Sequence, residues 1–201
     1  LITYNRPGAK HRVSEAERLL LADVGHVDHV RDVAHDAQQI LLLARLEQVF
    51  ELEADVEMIA VGAFSPLTGF MGEKDYHGVV DHMRLANGLP WTLPITLPVS
   101  AKEADAIKLD DQIVLADENG QRLAVITVTE KFKPDKTKEA QHVYGTDEDA
   151  HPGVKALYDA GEVNLAGPIE VLQLPKHDDF TEYRNTPAEL RSKFKEKGWK
   201  R

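Results

Sequence analysis

His26-Val27-Asp28-His29 is the one His-x-x-His in the chain, and Asp32, His35 and Asp36 follow it closely. Histidines at i and i+3 on a helix can share a metal ion, with a nearby carboxylate as third ligand. At about 100° per residue, however, His35 falls on the face opposite His26. A solvated polar face accounts for the same residues without a ligand. The spacing could also serve a transferring phosphate, provided the pair followed a buried strand and opened a helix. Val24-Gly25 precedes it with no strand pattern.

Asp147, Glu148 and Asp149, with His151, could supply paired carboxylates or a hard-metal site; a solvated acidic loop is the plainer reading. Lys131, Lys133, Lys136 and Lys138 surround Phe132 in a basic-aromatic patch that could touch phosphate. Asp135 and Glu139 interleave with it and weaken its field. Basic residues also crowd the C-terminus from Arg191 to Arg201, where a helix dipole accounts for them without a ligand. The sequence holds no Gly-x-x-x-x-Gly-Lys-Ser/Thr loop, Gly-x-Ser-x-Gly elbow or strand-borne Gly-x-Gly-x-x-Gly. Ser65 sits in a turn with no histidine placed to activate it. No catalytic, substrate-binding or metal-binding residue is assigned on these grounds.

The elements that would position such residues read as α+β. The run Ile59-Ala60-Val61-Gly62-Ala63-Phe64-Ser65-Pro66-Leu67-Thr68-Gly69-Phe70-Met71 is too apolar for a solvated loop and too punctuated for a plain helix. It predicts a buried turn that packs Phe64, Leu67, Phe70 and Met71. Ahead of it, Ser14 and Glu17 resemble a capping box. Ile40 to Leu43 fits either a strand or a helix continuing to Phe50, and Glu51 to Ala60 reads as a helix. Behind it, a helix is expected over Glu73–Leu85, with Tyr76, Val79, Val80 and Met83 facing inward. Ile95–Val99 reads as an irregular or edge strand between prolines.

Asp111–Ala116 and Leu123–Lys131 flank Asn119-Gly120, a strong hairpin signal. Helical stretches follow over Pro134–Val143 and Pro152–Ala160, then a strand over Asn164–Leu174 kinked at Gly167-Pro168. Thr186, Pro187 and Glu189 announce a last helix, with Leu190 and Phe194 on its apolar stripe and Gly198 as its stop.

The 201 residues are ample for one large domain or two small ones. With 42% hydrophobic and 29% charged residues, the chain has a globular composition. No apolar run nears the roughly 18 residues that span a bilayer, and no secretory leader is expected at Leu1. Zero cysteines exclude disulfides and fit a reducing, cytoplasmic setting. A formal net charge of −10 opposes broad nucleic-acid binding.

Val61–Met71 resembles a hallmark of the ATP sulfurylases (sulfate adenylyltransferases), and further segments agree in order. They are Met83 to Val99 with its Asn87-Gly88-Leu89-Pro90-Trp91 centre, Phe132-Lys133-Pro134-Asp135-Lys136, Tyr144-Gly145-Thr146 and Ala150-His151-Pro152-Gly153-Val154. Ala166-Gly167-Pro168-Ile169, Arg184 to Arg191 and Gly198-Trp199 complete the series. The resemblance runs from about Glu51 onward. It implies a PUA-like fold, a small mixed β-barrel or pseudo-barrel with surrounding helices. The implied layout is residues 1–50 as an N-terminal helical or extended segment, 51–183 as the PUA-like domain and 184–201 as a linking helix.

The resemblance also implies a parent reaction, attack of sulfate on the α-phosphorus of MgATP to give adenylyl sulfate and pyrophosphate. In that family the reaction belongs to a following domain marked by Gln-x-Arg-Asn-x-x-His-x-x-His. These 201 residues do not contain that signature, and Arg184-Asn185 precedes a capped helix instead. The expectation is a non-catalytic N-terminal domain that supports the catalytic domain, from a shortened chain or a split enzyme, with a homo-oligomer possible. The alternative is a stand-alone PUA-like module binding RNA or protein, against which the charge speaks.

Overall fold

The computed structural model describes residues 41–43, 49–117 and 120–199. The expected capping box at Ser14 and the histidine cluster at His26–Asp36 lie outside the described residues.

One strand organises the sheet. The described residues form seven strands: β1 (Leu41–Leu43), β2 (Gly69–Phe70), β3 (Leu97–Val99), β4 (Gln112–Ala116), β5 (Arg122–Thr127), β6 (Glu130–Phe132) and β7 (Val163–Val171). β7 pairs antiparallel with β2, β3, β5 and β6. Its first half runs between β3 and β6, so that Asn164 faces both Pro98 and Phe132. Its second half runs between β2 and β5, where Ile169 faces Ile126 and Pro168 faces Gly69. The change of partners falls at Gly167-Pro168, where the sequence predicts a kink. Gly167 has φ 153°, and a Cβ there would lie 1.9 Å from the Thr127 carbonyl oxygen. A Cβ on Gly69 would lie 2.0 Å from the Gly167 oxygen. The two backbones meet too closely for any side chain, which is why glycine stands at both positions.

β4 and β5 form the expected hairpin, bulged between Leu115 and Ala116. Asp117 closes it by accepting the Gln121 amide at 2.7 Å, while Glu118 and Asn119 lie outside the described residues. β1 adds in parallel to β4, so the ambiguous Ile40–Leu43 run contributes a strand. The sheet path runs β1-β4-β5-β7-β2, with β3 and β6 both joined to β7. Among the described residues β1 and β2 are not paired with each other, so the pairings there leave an open mixed α+β arrangement rather than a closed barrel. The single strand expected over Leu123–Lys131 is two, because the Thr129 amide and hydroxyl both bond to the Ala166 carbonyl and bend the chain.

Among the described residues six α-helices surround the sheet: α1 (Val49–Ala60), α2 (Glu73–His82), α3 (Ala101–Ala106), α4 (Lys136–Glu139), α5 (Pro152–Asp159) and α6 (Pro187–Glu196). α1 buries Leu52, Val56 and Ile59, and α2 buries Tyr76, Val79 and Val80. Met83, expected inward, is exposed: it caps α2 in the left-handed region at φ 52° and turns the chain away. The strand expected over Ile95–Val99 is confined to Leu97–Val99. Ile95 instead accepts the Met71 amide at 3.0 Å through its carbonyl and stays buried. Phe70 and Met71 are buried, with Phe64 and Leu67 packed partly against the same core. α4 widens directly into a π-helical turn over Ala140–Tyr144, in place of the plain helix expected there.

Candidate functional site

A cavity of about 320 Å³ lies between α1, the prolines around β3, α4 and α5. Its position follows from local chemistry. Asp135 opens α4 by accepting the Lys138 amide at 3.0 Å, and the π-helical turn follows only four residues later. That geometry drives Glu139 inward to 6% exposure. Asn164, on β7 between β3 and β6, is held at 3%. Glu139 and Asn164 are the two buried polar or charged residues among the described residues, and both line this cavity.

The carboxyl has a partner. Tyr76, reaching from α2, donates its hydroxyl to Glu139 Oε2 at 2.7 Å and packs on Phe132 at 5.2 Å. Burial pushes the Glu139 carboxyl above its ordinary 4.5, against the opposing pulls of the Tyr76 hydrogen bond and the Lys136 charge. The Tyr76 phenol is pushed up as well, first by burial and then by the neighbouring carboxylate. Lys136 also lines the cavity, but its Nζ donates to the carbonyls of Ala160 at 2.7 Å and Tyr158 at 3.3 Å. It thus closes the C-terminus of α5, where helix carbonyls favour a cation. Burial lowers its pKa, against the charges of Glu139, Glu162 and Asp159.

The basic patch read from the sequence is therefore dispersed. Lys131 donates to the carbonyls of Ala104 at 2.9 Å and Ile107 at 2.7 Å, closing α3. Lys138 pairs with Asp81 at 2.6 Å, a contact that also lowers the Asp81 pKa. Phe132 is buried against Tyr76 rather than displayed. Three of the four lysines hold this domain together, and the patch is not a surface built for phosphate.

The acidic connector stays at the surface. Asp147 accepts from Gln141 at 3.0 Å, Glu148 and Asp149 are exposed, and His151 caps α5 by accepting the Gly153 amide. Among the described residues no three His, Asp or Glu side chains converge to hold a metal ion. Ser65 is exposed in its turn.

The second distinctive feature is α6. Thr186 and Glu189 form the full capping box expected, with Pro187 in the first turn. None of the helix's residues is buried. Phe194 and Trp199 stack at 5.6 Å with Lys197 over the indole, yet stand 42% and 57% exposed. The connector before α6 adds Phe180 and Tyr183, 71% and 72% exposed. His177 fastens that connector to α1 through both Glu57 carboxylate oxygens at 2.9 Å.

Of the candidates read from the sequence, Lys136 of the basic patch lines the cavity, while Glu139 and Asn164 carry no site signal there. Glu139 follows three residues after Lys136 in a polar stretch, and nothing in that pattern marks its burial. Asn164 opens an expected strand like any polar edge residue.

Comparison with known proteins gives a consistent picture. The PUA-like domain family matches residues 14–174. A sulfate adenylyltransferase from Synechococcus sp. (strain JA-3-3Ab) is 53% identical over 148 residues, 74% of this chain and 38% of its own length. The sulfate adenylyltransferase of Acaryochloris marina is 45% identical over 176 residues, covering 85% of this chain and 45% of that protein. That of Deinococcus radiodurans is 47% identical over 156 residues, 78% of this chain and 39% of its own. The chain thus spans less than half the length of these curated relatives. Among solved structures, a chain described as the hexameric APS kinase from Thiobacillus denitrificans superposes with a TM-score of 0.59 at 29% identity. That match covers 85% of this chain and 29% of the other. No helix among the described residues is long and apolar enough to cross a membrane.

Proposed function

The chain belongs to the PUA-like domain family, and from that premise we propose that it is the non-catalytic, supporting domain of a cytoplasmic sulfate adenylyltransferase. The observation that carries the reading is α6. A capped helix of ten residues that has no buried residue, displaying Leu190 and Phe194 with Trp199 just beyond its end, is shaped for another surface. The curated relatives, more than twice the length matched here, carry the further chain that could provide it. In this reading the catalytic domain docks on α6 and on Phe180 and Tyr183. That domain would bind MgATP and sulfate and form adenylyl sulfate and pyrophosphate.

Adenylyl transfer requires cations and donors gathered around the α-phosphate and the leaving pyrophosphate. The described domain spends Lys131, Lys136 and Lys138 on its own carbonyls and carboxylates. The chain by itself should therefore release no pyrophosphate from ATP and sulfate above background in a coupled assay. Magnesium-dependent turnover by the purified chain would overturn the non-catalytic assignment.

Docking is tested by titrating this chain with a separately produced catalytic domain of a close sulfate adenylyltransferase in sedimentation velocity. A complex is expected, and the double substitution Phe194→Asp with Trp199→Asp should abolish it. Absence of a complex with the unaltered chain would overturn the docking role.

A further inference from the structure

We propose that the cavity between α4, α5 and β3 is a binding site for a small primary amine with a compact apolar body. The inference rests on the cavity alone and stands whether or not α6 docks on a catalytic domain. A space of about 320 Å³ lies at the small end of ligand pockets, which bury apolar surface and orient the ligand through a few polar groups. Here the apolar walls come from Leu52, Pro94, Leu97 and Leu157, and the polar groups are Glu139 and Asn164.

Charge selects among ligand classes. Asp55 and Glu139 both line the cavity, and Asp159 and Glu162 act on Lys136 from beside it. The one ammonium among the described lining residues, Lys136, is turned to the carbonyls of Tyr158 and Ala160. Among the described lining residues, an anionic ligand would meet the Glu139 carboxyl with no cation aimed at it. A purely apolar ligand would strip water from Glu139 and Asn164 and return no hydrogen bond, which is costly for buried polar groups. A protonated amine supplies N–H donors to both. It also adds a positive charge beside Glu139, whose charged form burial disfavours, a cost that the Lys136 charge only partly offsets. Tyr76 already occupies Oε2 of that carboxylate, so the amine is directed to the remaining acceptor positions and to the Asn164 carboxamide oxygen.

The test is an NMR titration of the isotope-labelled full chain with benzylamine, benzyl alcohol and benzoate as matched probes. Benzylamine should give saturable shifts at the backbone amides of Glu139, Leu157 and Asn164. Benzyl alcohol should bind at least about tenfold more weakly, the scale expected when a charge-assisted hydrogen bond is removed. Benzoate should not saturate. Glu139→Gln keeps an acceptor for Tyr76 and should weaken benzylamine by about tenfold. Leu157→Trp, at a half-buried wall position, should block the space while leaving the rest of the spectrum unchanged. No saturable benzylamine shifts, equal binding of benzoate or benzyl alcohol, or unaltered affinity in Glu139→Gln would each overturn the proposal.

Discussion

α2 and α6 are both ten residues long, and they owe their form to opposite causes. α2 is preceded by Gly72, an N-cap that offers no side-chain hydrogen bond. Its N-terminus is served from afar: Glu130 of β6 accepts the Glu73 amide at 2.8 Å across 57 residues of sequence. Tyr76, Val79 and Val80 then anchor it in the core. α6 carries the full local set of helix signals, capping box and first-turn proline, and buries nothing. Isolated helices of this length are marginal in water, so local signals alone hold α6 weakly. One helix is anchored in the core; the other rests on local signals and leaves its apolar side chains exposed.

The sharpest way to break this contrast is Tyr76→Ala. Removing a fully buried aromatic side chain typically costs about 3–5 kcal/mol, a large share of a domain's stability of about 5–15 kcal/mol. Here it also strips Glu139 of its donor. The urea midpoint should fall accordingly. A loss below about 1 kcal/mol would show that α2 is not the anchored element described, since it would match a surface change.

Glu139→Gln should have a smaller effect, with a pH dependence that reports burial. Burial raises the folded-state pKa of Glu139 above its ordinary 4.5. The folded state therefore holds the proton more tightly than the unfolded chain. The stabilising contribution is full below 4.5 and is lost as pH rises through the folded value. Urea midpoints measured from pH 4 to 8 should show the unaltered chain losing stability relative to the variant over that window. The difference should lie within the ordinary point-mutation range of about 0.5–3 kcal/mol. A pH-independent difference would mean that the carboxyl is not desolvated. α6 shows the reverse sign: the Thr186 backbone amide and hydroxyl hold the Glu189 carboxyl below its ordinary value. Its contribution is present above the unfolded pKa and lost on acidification through the folded one.

The same contrast explains what was legible in the sequence. Features written in adjacent residues could be read: Thr186-Pro187 with Glu189, the β4–β5 hairpin, and the Gly167-Pro168 kink where β7 changes partners. α3 is equally local, since Ser100 and Glu103 form a capping box directly after the proline-flanked strand β3. Features set by distant partners could not. Thr129 bends the chain because Ala166 lies opposite, and Met83 leaves the core because α2 ends in a left-handed turn. Lys131 and Lys136 look like a phosphate patch in one dimension and close two helices in three. The cavity was hidden for the same reason, since Glu139 is buried by α2, β7 and its own π-helical turn rather than by any local pattern.

Thr186→Ala is the gentlest probe and the most discriminating. Losing an N-cap side chain costs a helix about 0.5–2 kcal/mol. Glu189 would lose its reciprocal bond to the Thr186 hydroxyl as well. If α6 stands apart from the cooperative core, that cost should stay local. Amide hydrogen exchange at Leu190 and Phe194 should quicken by roughly fivefold for each 1 kcal/mol lost. Amides of β5 and β7 should keep their protection, and the urea midpoint should hardly move. A midpoint shift comparable to that of Tyr76→Ala would place α6 inside the cooperative unit and remove the basis for treating its exposed aromatic face as a surface awaiting a partner.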